Sequence, residues 1–113
     1  PYDFLPIFVP EAQVAFEWPN TPADSQPMFH ARRTGPGRSP RALLLAARND
    51  TLVDPQRNTQ ALAHTLGQQG VAVELALLEG VSHTTLIGAM AAPLRGLAPV
   101  LDRVSAFINR PLA

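Results

Sequence analysis

From residue 41 onward the apolar and polar positions fall into regular periods, and before it they do not. Residues 42 to 47 are continuously apolar, which suits a parallel strand covered on both faces. Asp54 followed by Pro55 reads as a helix N-cap with proline at the first helical position. Thr59, Leu62, Ala63 and Leu66 then share one helical face, and Gly70 closes that helix. Residues 71 to 78 predict a second strand, with Val71, Val73, Leu75 and Leu77 on one side. Thr84 to Ala91 predicts a short helix ended by Pro93, and Pro99 fits the first turn of a terminal helix. Val100, Leu101, Val104, Phe107 and Ile108 supply the apolar stripe of that last helix. The order strand, helix, strand, helix is a βαβ unit with its following helix, and its crossover is expected to be right-handed. No internal repeat is visible.

Residues 1 to 40 hold most of the prolines, which cut every candidate element short. Glu11 to Trp18 alone predicts a helix there, with Val14 and Trp18 at i, i+4. Pro27 to Ala31 reads as a short extended segment, and Arg32 to Pro40 as an exposed loop. The arginines of that loop do not announce a nucleic-acid surface, because the formal net charge is zero and no aromatic partner is evident. Phe4, Phe8, Phe16 and Trp18 read as hydrophobic anchors to the body of the domain in preference to the lining of an acyl pocket.

At 113 residues the chain is at most one small domain, and its 46% hydrophobic content argues against disorder. All nine basic residues are arginine, the compositional signature of a GC-rich genome, bacterial by expectation. With no cysteine there is no disulfide, thiol nucleophile or thiolate metal site. No apolar stretch is long enough for a membrane span and no signal-peptide pattern is present, although the sequence opens on Pro1.

The chemistry is carried by Asp50 and His83, each just beyond the carboxyl end of a predicted strand. In open α/β sheets the loops at those ends converge on a crevice. Two parallel strands joined through one helix are neighbours or near-neighbours, so the two side chains can meet. A carboxylate there would bond one ring nitrogen, fix the tautomer and stabilise the imidazolium formed when the other nitrogen takes a proton. Asp54 competes for the acid role, but its position before Pro55 already explains it as a cap. His30, in the irregular first third, and His64, inside an amphipathic helix, read as structural or solvent-facing. Asn49-Asp50-Thr51 matches a glycosylation acceptor, but a sugar there would obstruct the proposed acid.

An acid followed by a histidine is the end of a Ser, Asp, His series, and the serine is what the chain lacks. No Gly-x-Ser-x-Gly occurs. Gly37-Arg38-Ser39-Pro40-Arg41 lacks the last glycine, and Pro40 would disrupt the helix due there. Gly80-Val81-Ser82-His83-Thr84 follows a strand, but no histidine lies beyond it to act as base, so Ser82 reads as a loop residue.

In three places the chain resembles the C-terminal part of the α/β-hydrolase family, especially its carboxylesterase-like members. Pro40 to Leu45 leading to Asp50-Thr51-Leu52-Val53-Asp54-Pro55 resembles the family's acid loop, and Leu78 to Leu86 around His83 resembles its histidine loop. Pro1 to Pro6 resembles the segment after the preceding sheet strand. Ala47 stands where many relatives carry glycine, which affects loop shape more than chemistry.

The resemblance implies that residues 1 to 113 form the C-terminal part of one α/β-hydrolase domain. Within it, 1 to 40 would be an irregular proline-rich segment, and 41 to 113 a βαβα unit carrying Asp50 as triad acid and His83 as general base. The serine nucleophile and oxyanion hole would come from the N-terminal part of the same domain, ahead of Pro1. The substrate would be a small uncharged ester, with no metal or organic cofactor and no nucleic-acid partner. An amidase or arylformamidase of the same fold, or a catalytically silent interaction module, are the other readings.

Overall fold

The computed structural model describes residues 1–111; residues 112 and 113, the last two of the expected domain span, lie outside it. Helix α1 runs Pro10–Ala15, α2 Pro27–Ala31, strand β1 Ala42–Ala47, α3 Ala61–Gln68, β2 Val73–Leu78, α4 His83–Gly88 and α5 Val100–Asn109. A wider π-type turn, Gln56–Gln60, leads into α3, and 3-10 turns cover Ala23–Ser25 and Ala92–Leu97. The architecture is mixed α/β around a two-stranded parallel sheet.

The sheet is in register from Ala42 opposite Val73 to Ala47 opposite Leu78. Because side chains alternate along a strand, its two faces carry different cores. Leu45, Ala47, Ala76 and Leu78 face Val81, Ala89, Ala98 and Val100 from α4, α5 and the segments beside them. Leu44 faces the opposite side, where Met28 and Ala31 of α2 pack with Leu62 of α3. Helices therefore cover both faces, as the apolar run of β1 requires. The cover on β2 is thinner, and Leu75 remains 41% exposed.

The helix linking the strands starts and stops on residues chosen by backbone need. Asp54 Oδ1 accepts the Gln56 N–H at 2.9 Å, satisfying a donor that the first turn leaves free. At the other end Gly70 takes φ +80°, so its N–H reaches Gly67 O at 3.0 Å and the Val71 N–H reaches Leu66 O at 3.0 Å. That pairing is a Schellman closure. A side chain at Gly70 would also strike the Pro36 ring, 2.8 Å from the position of a Cβ. The closure explains why β2 begins at Val73 and not at 71: the Val71 N–H belongs to the helix end, and the ladder opens with Ala42 N–H to Ala72 O at 2.9 Å.

The first third departs from the sequence reading in two elements. Helix α1 stops at Ala15, not Trp18, and Glu17 swings to φ +56°. The residue before a proline avoids helical geometry, and Trp18 precedes Pro19. Val14 is exposed in consequence and makes no helical pair with Trp18. Pro27 to Ala31 is a helix, not an extended segment: Pro27 occupies its first turn while Met28 and Ala31, three apart, are buried. Five residues hold too little periodicity to reveal this, and the proline was the available signal.

Two smaller shifts occur near the C-terminal end. Helix α4 opens at His83 instead of Thr84, because Ser82 caps it, and it closes at Gly88. Ile108 is exposed at the margin of the α5 stripe, whereas Val100 is buried and Leu101, Val104 and Phe107 are half-buried. Arg41 secures the end of α5, donating to Arg110 O at 2.9 Å and lying 4.5 Å over the Phe107 ring.

The start of the irregular N-terminal segment is tied down chiefly through Asn58, which is only 4% exposed. Its Oδ1 accepts the Tyr2 N–H at 2.7 Å and the Asp3 N–H at 3.0 Å, and its Nδ2 donates to Asp54 O at 3.2 Å. Arg57 adds an ion pair to Asp3 at 3.1 Å and a bond to Leu5 O. Replacing Asn58 with alanine leaves the Tyr2 and Asp3 N–H groups short of a partner, while the Asp54 carbonyl keeps the backbone N–H of residue 58, so the variant is expected to lose about 1–3 kcal/mol. Urea unfolding checks this; a midpoint equal to that of the parent chain would show that the segment is held by other means.

Candidate catalytic dyad

After β1 the chain keeps to the sheet for one more bond, Arg48 N–H to Leu78 O at 2.9 Å, and then turns through Asp50 N–H to Ala47 O at 3.2 Å. After β2 it turns at Gly80, φ +73°, which buries Val81 and delivers Ser82 to the start of α4. Ser82 Oγ accepts the Thr85 N–H, and Thr85 Oγ1 accepts the Ser82 N–H at 2.7 Å. This reciprocal box sets His83 at the first helical position, so its side chain leaves the helix at a defined point. Ser82 is thus a helix cap and not a plain loop residue; the following Thr-Thr pair was its signal in the sequence.

These two turns bring Asp50 and His83 together, with Asp50 Oδ2 2.7 Å from His83 Nδ1. The carboxylate divides its work. Oδ1 accepts the N–H groups of Leu52 at 2.8 Å and Val53 at 2.9 Å, so the acid orders its own loop, while Oδ2 is directed at the imidazole. The Asp50 side chain is 6% exposed and that of His83 is 36% exposed. Burial pushes the Asp50 carboxyl upward, but the Val53 N–H, the His83 bond, the Leu52 N–H and the His83 charge outweigh it. Together they hold the group below its ordinary 3.8.

An ionised carboxylate only accepts, so the proton between the two groups sits on Nδ1. In its neutral form the ring presents a lone pair at Nε2. Among the described residues no hydrogen-bond partner occupies Nε2, and the ring borders a cavity of about 240 Å³. Leu45, Ala46, Val53, Leu86 and Ile87 give the cavity apolar walls, and Pro1, Tyr2 and Thr59 also line it. The sequence held no sign that Pro1 and Tyr2 stand beside His83; Asn58 puts them there.

The other candidates fall outside this constellation. Asp54 caps its helix. His30 bonds Asp24 O at 2.8 Å through Nε2 and meets Phe29 edge-on, and His64 is exposed on α3. In the arginine-bearing loop Arg33 lies 3.5 Å over the Phe29 ring, an aromatic partner that the linear sequence did not suggest. Phe4, Phe8 and Phe16 line a second cavity of about 660 Å³, whereas Trp18 does not. Phe8 is 82% exposed and anchors nothing. Among the described residues no three His, Cys, Asp or Glu side chains converge as a metal-binding group, and no helix is long and apolar enough to cross a membrane. Comparison with protein-family models, with curated proteins and with solved structures finds no match.

The lowered Asp50 carboxyl sets a pH signature. A group whose pKa is depressed by folding stabilises the fold above its unfolded value and loses that contribution as pH falls through the folded value. The gap in unfolding free energy between the parent chain and Asp50→Asn is therefore expected to be full near pH 7 and to shrink below about pH 4. Urea titrations across that range measure it; a gap independent of pH would refute the linkage.

Proposed function

We propose that this chain carries the acid and the general base of an α/β-hydrolase, a carboxylesterase-like serine enzyme cleaving small uncharged esters. Its serine nucleophile and oxyanion hole are supplied by the N-terminal part of the same domain, outside residues 1–113. The observation that carries the reading is the 2.7 Å bond from His83 Nδ1 to a nearly buried Asp50, which leaves Nε2 without a partner among the described residues on a ring that lines a cavity at the carboxyl end of the sheet.

The chemistry follows from that geometry. The serine Oγ bonds to the ester carbonyl carbon as its proton passes to His83 Nε2, and Asp50 stabilises the resulting imidazolium. Backbone N–H groups hold the negative oxygen of the tetrahedral intermediate. The carbon–oxygen bond to the alcohol then breaks, the imidazolium protonates the leaving alkoxide, and an acyl-serine remains. Water repeats the sequence and releases the acid. Asp50 is a positioning residue, since it acts through His83.

The 113-residue chain by itself is expected to show no turnover of p-nitrophenyl acetate, because a base without its nucleophile leaves only water to attack. Joined to the polypeptide encoded upstream of Pro1, it is expected to hydrolyse the ester. His83→Ala then removes activity, and Asp50→Asn lowers kcat by roughly 10³–10⁴-fold, since the amide stabilises the wrong tautomer. Turnover by the isolated chain that vanishes in His83→Ala, or activity of the joined protein indifferent to His83→Ala, overturns the proposal.

A further inference from the structure

The larger cavity lies between the N-terminal segment and the loop that Asp50 holds. We propose that it binds an uncharged aryl group, and that this group is the apolar part of the ester; the second clause rests on the hydrolase reading, the first does not. Its volume, about 660 Å³, is within the range of roughly 300–1,000 Å³ typical of small-molecule sites. Phe4 and Phe16 stand in its wall with ring centroids 4.8 Å apart and planes tilted by 52°. Such a pair offers both a face and an edge to a third ring.

The polar groups of the wall are already matched to one another. Asp3 takes Arg57 through both carboxylate oxygens, at 3.1 and 3.4 Å, and Asp54 Oδ1 takes the Gln56 N–H. Among the described residues the side-chain cation of the wall, Arg57, is held by Asp3, and an anionic ligand would meet the two carboxylates. The site is therefore complementary to a neutral ligand.

Continuity ties this cavity to the dyad. Pro1 and Val53 line both it and the cavity beside His83. The Val53 N–H is held by Asp50 Oδ1, so one carboxylate fixes a shared wall with one oxygen and the base with the other. Asparagine at position 50 retains an oxygen for the wall and is expected to preserve aryl binding while disturbing the histidine.

Fluorescence titration with neutral N-phenyl-1-naphthylamine, set against anionic 2-naphthoate, tests the site. The expected result is saturable binding of the neutral probe, about tenfold weaker binding of the anion, and affinity unchanged in His83→Ala and Asp50→Asn. Phe16→Ala and Phe8→Asp are each expected to weaken the probe about tenfold. Phe8 is 82% exposed, so its replacement stays informative should Phe16→Ala fail to fold. Non-saturable binding, equal affinity for the anion, or a Phe8→Asp variant that binds like the parent overturns the cavity assignment. Probe binding without His83-dependent turnover in the upstream-extended protein keeps the cavity and removes the hydrolase reading; turnover without probe binding does the reverse.

Discussion

Parallel pairing of β1 with β2 sets Ala47 opposite Leu78, so both chains leave the sheet at the same level and on the same edge of the core. A shift of one residue would turn the inward face of a strand outward and carry its loop to another height. The two helix-covered faces resist such a shift. Leu45, Ala47, Ala76 and Leu78 must meet α4 and α5, while Leu44 must meet α2 and α3. The position of a histidine relative to an acid 33 residues earlier is thus an outcome of core packing on the sheet.

Given that register, the dyad depends on how a single carboxylate is used. Burial alone would favour a protonated Asp50, which could donate a proton where the histidine needs an acceptor. Two loop N–H groups on Oδ1, together with the bond and charge of His83, reverse that preference and keep the group ionised. The same bonds shape the Leu52–Val53 segment, whose side chains wall the adjoining cavities. Loop order and histidine orientation therefore share one acid, and the substitution of choice for separating them is the isosteric amide.

Asn58 plays a comparable part for the N-terminal segment. At the start of residues 1 to 40 the N–H groups of Tyr2 and Asp3 lie outside any helix or strand, and the buried amide of a neighbouring helical turn accepts both. By binding Tyr2 and Asp3 it brings Pro1 to the cavity beside His83 and Phe4 to the aromatic wall. The site is consequently built from both halves of the chain.

The strands, the linking helix, its Asp54 cap and its Gly70 stop were legible in the sequence because each rests on local chemistry: apolar period, a short polar side chain before proline, a residue free to take positive φ. Asp50 and His83 were legible as candidates for the same reason, since strand ends can be read from strand patterns. Tertiary structure decided everything that depends on distant partners. It chose the 2.7 Å contact, the division of the carboxylate between loop and ring, and the helix at Pro27 whose burial depends on Leu62. It also turned Phe4, Phe8 and Phe16 from presumed anchors into a cavity wall. Sequence period records which face of an element avoids water; which other element covers that face, and which polar groups then find each other, is fixed only when the layers pack.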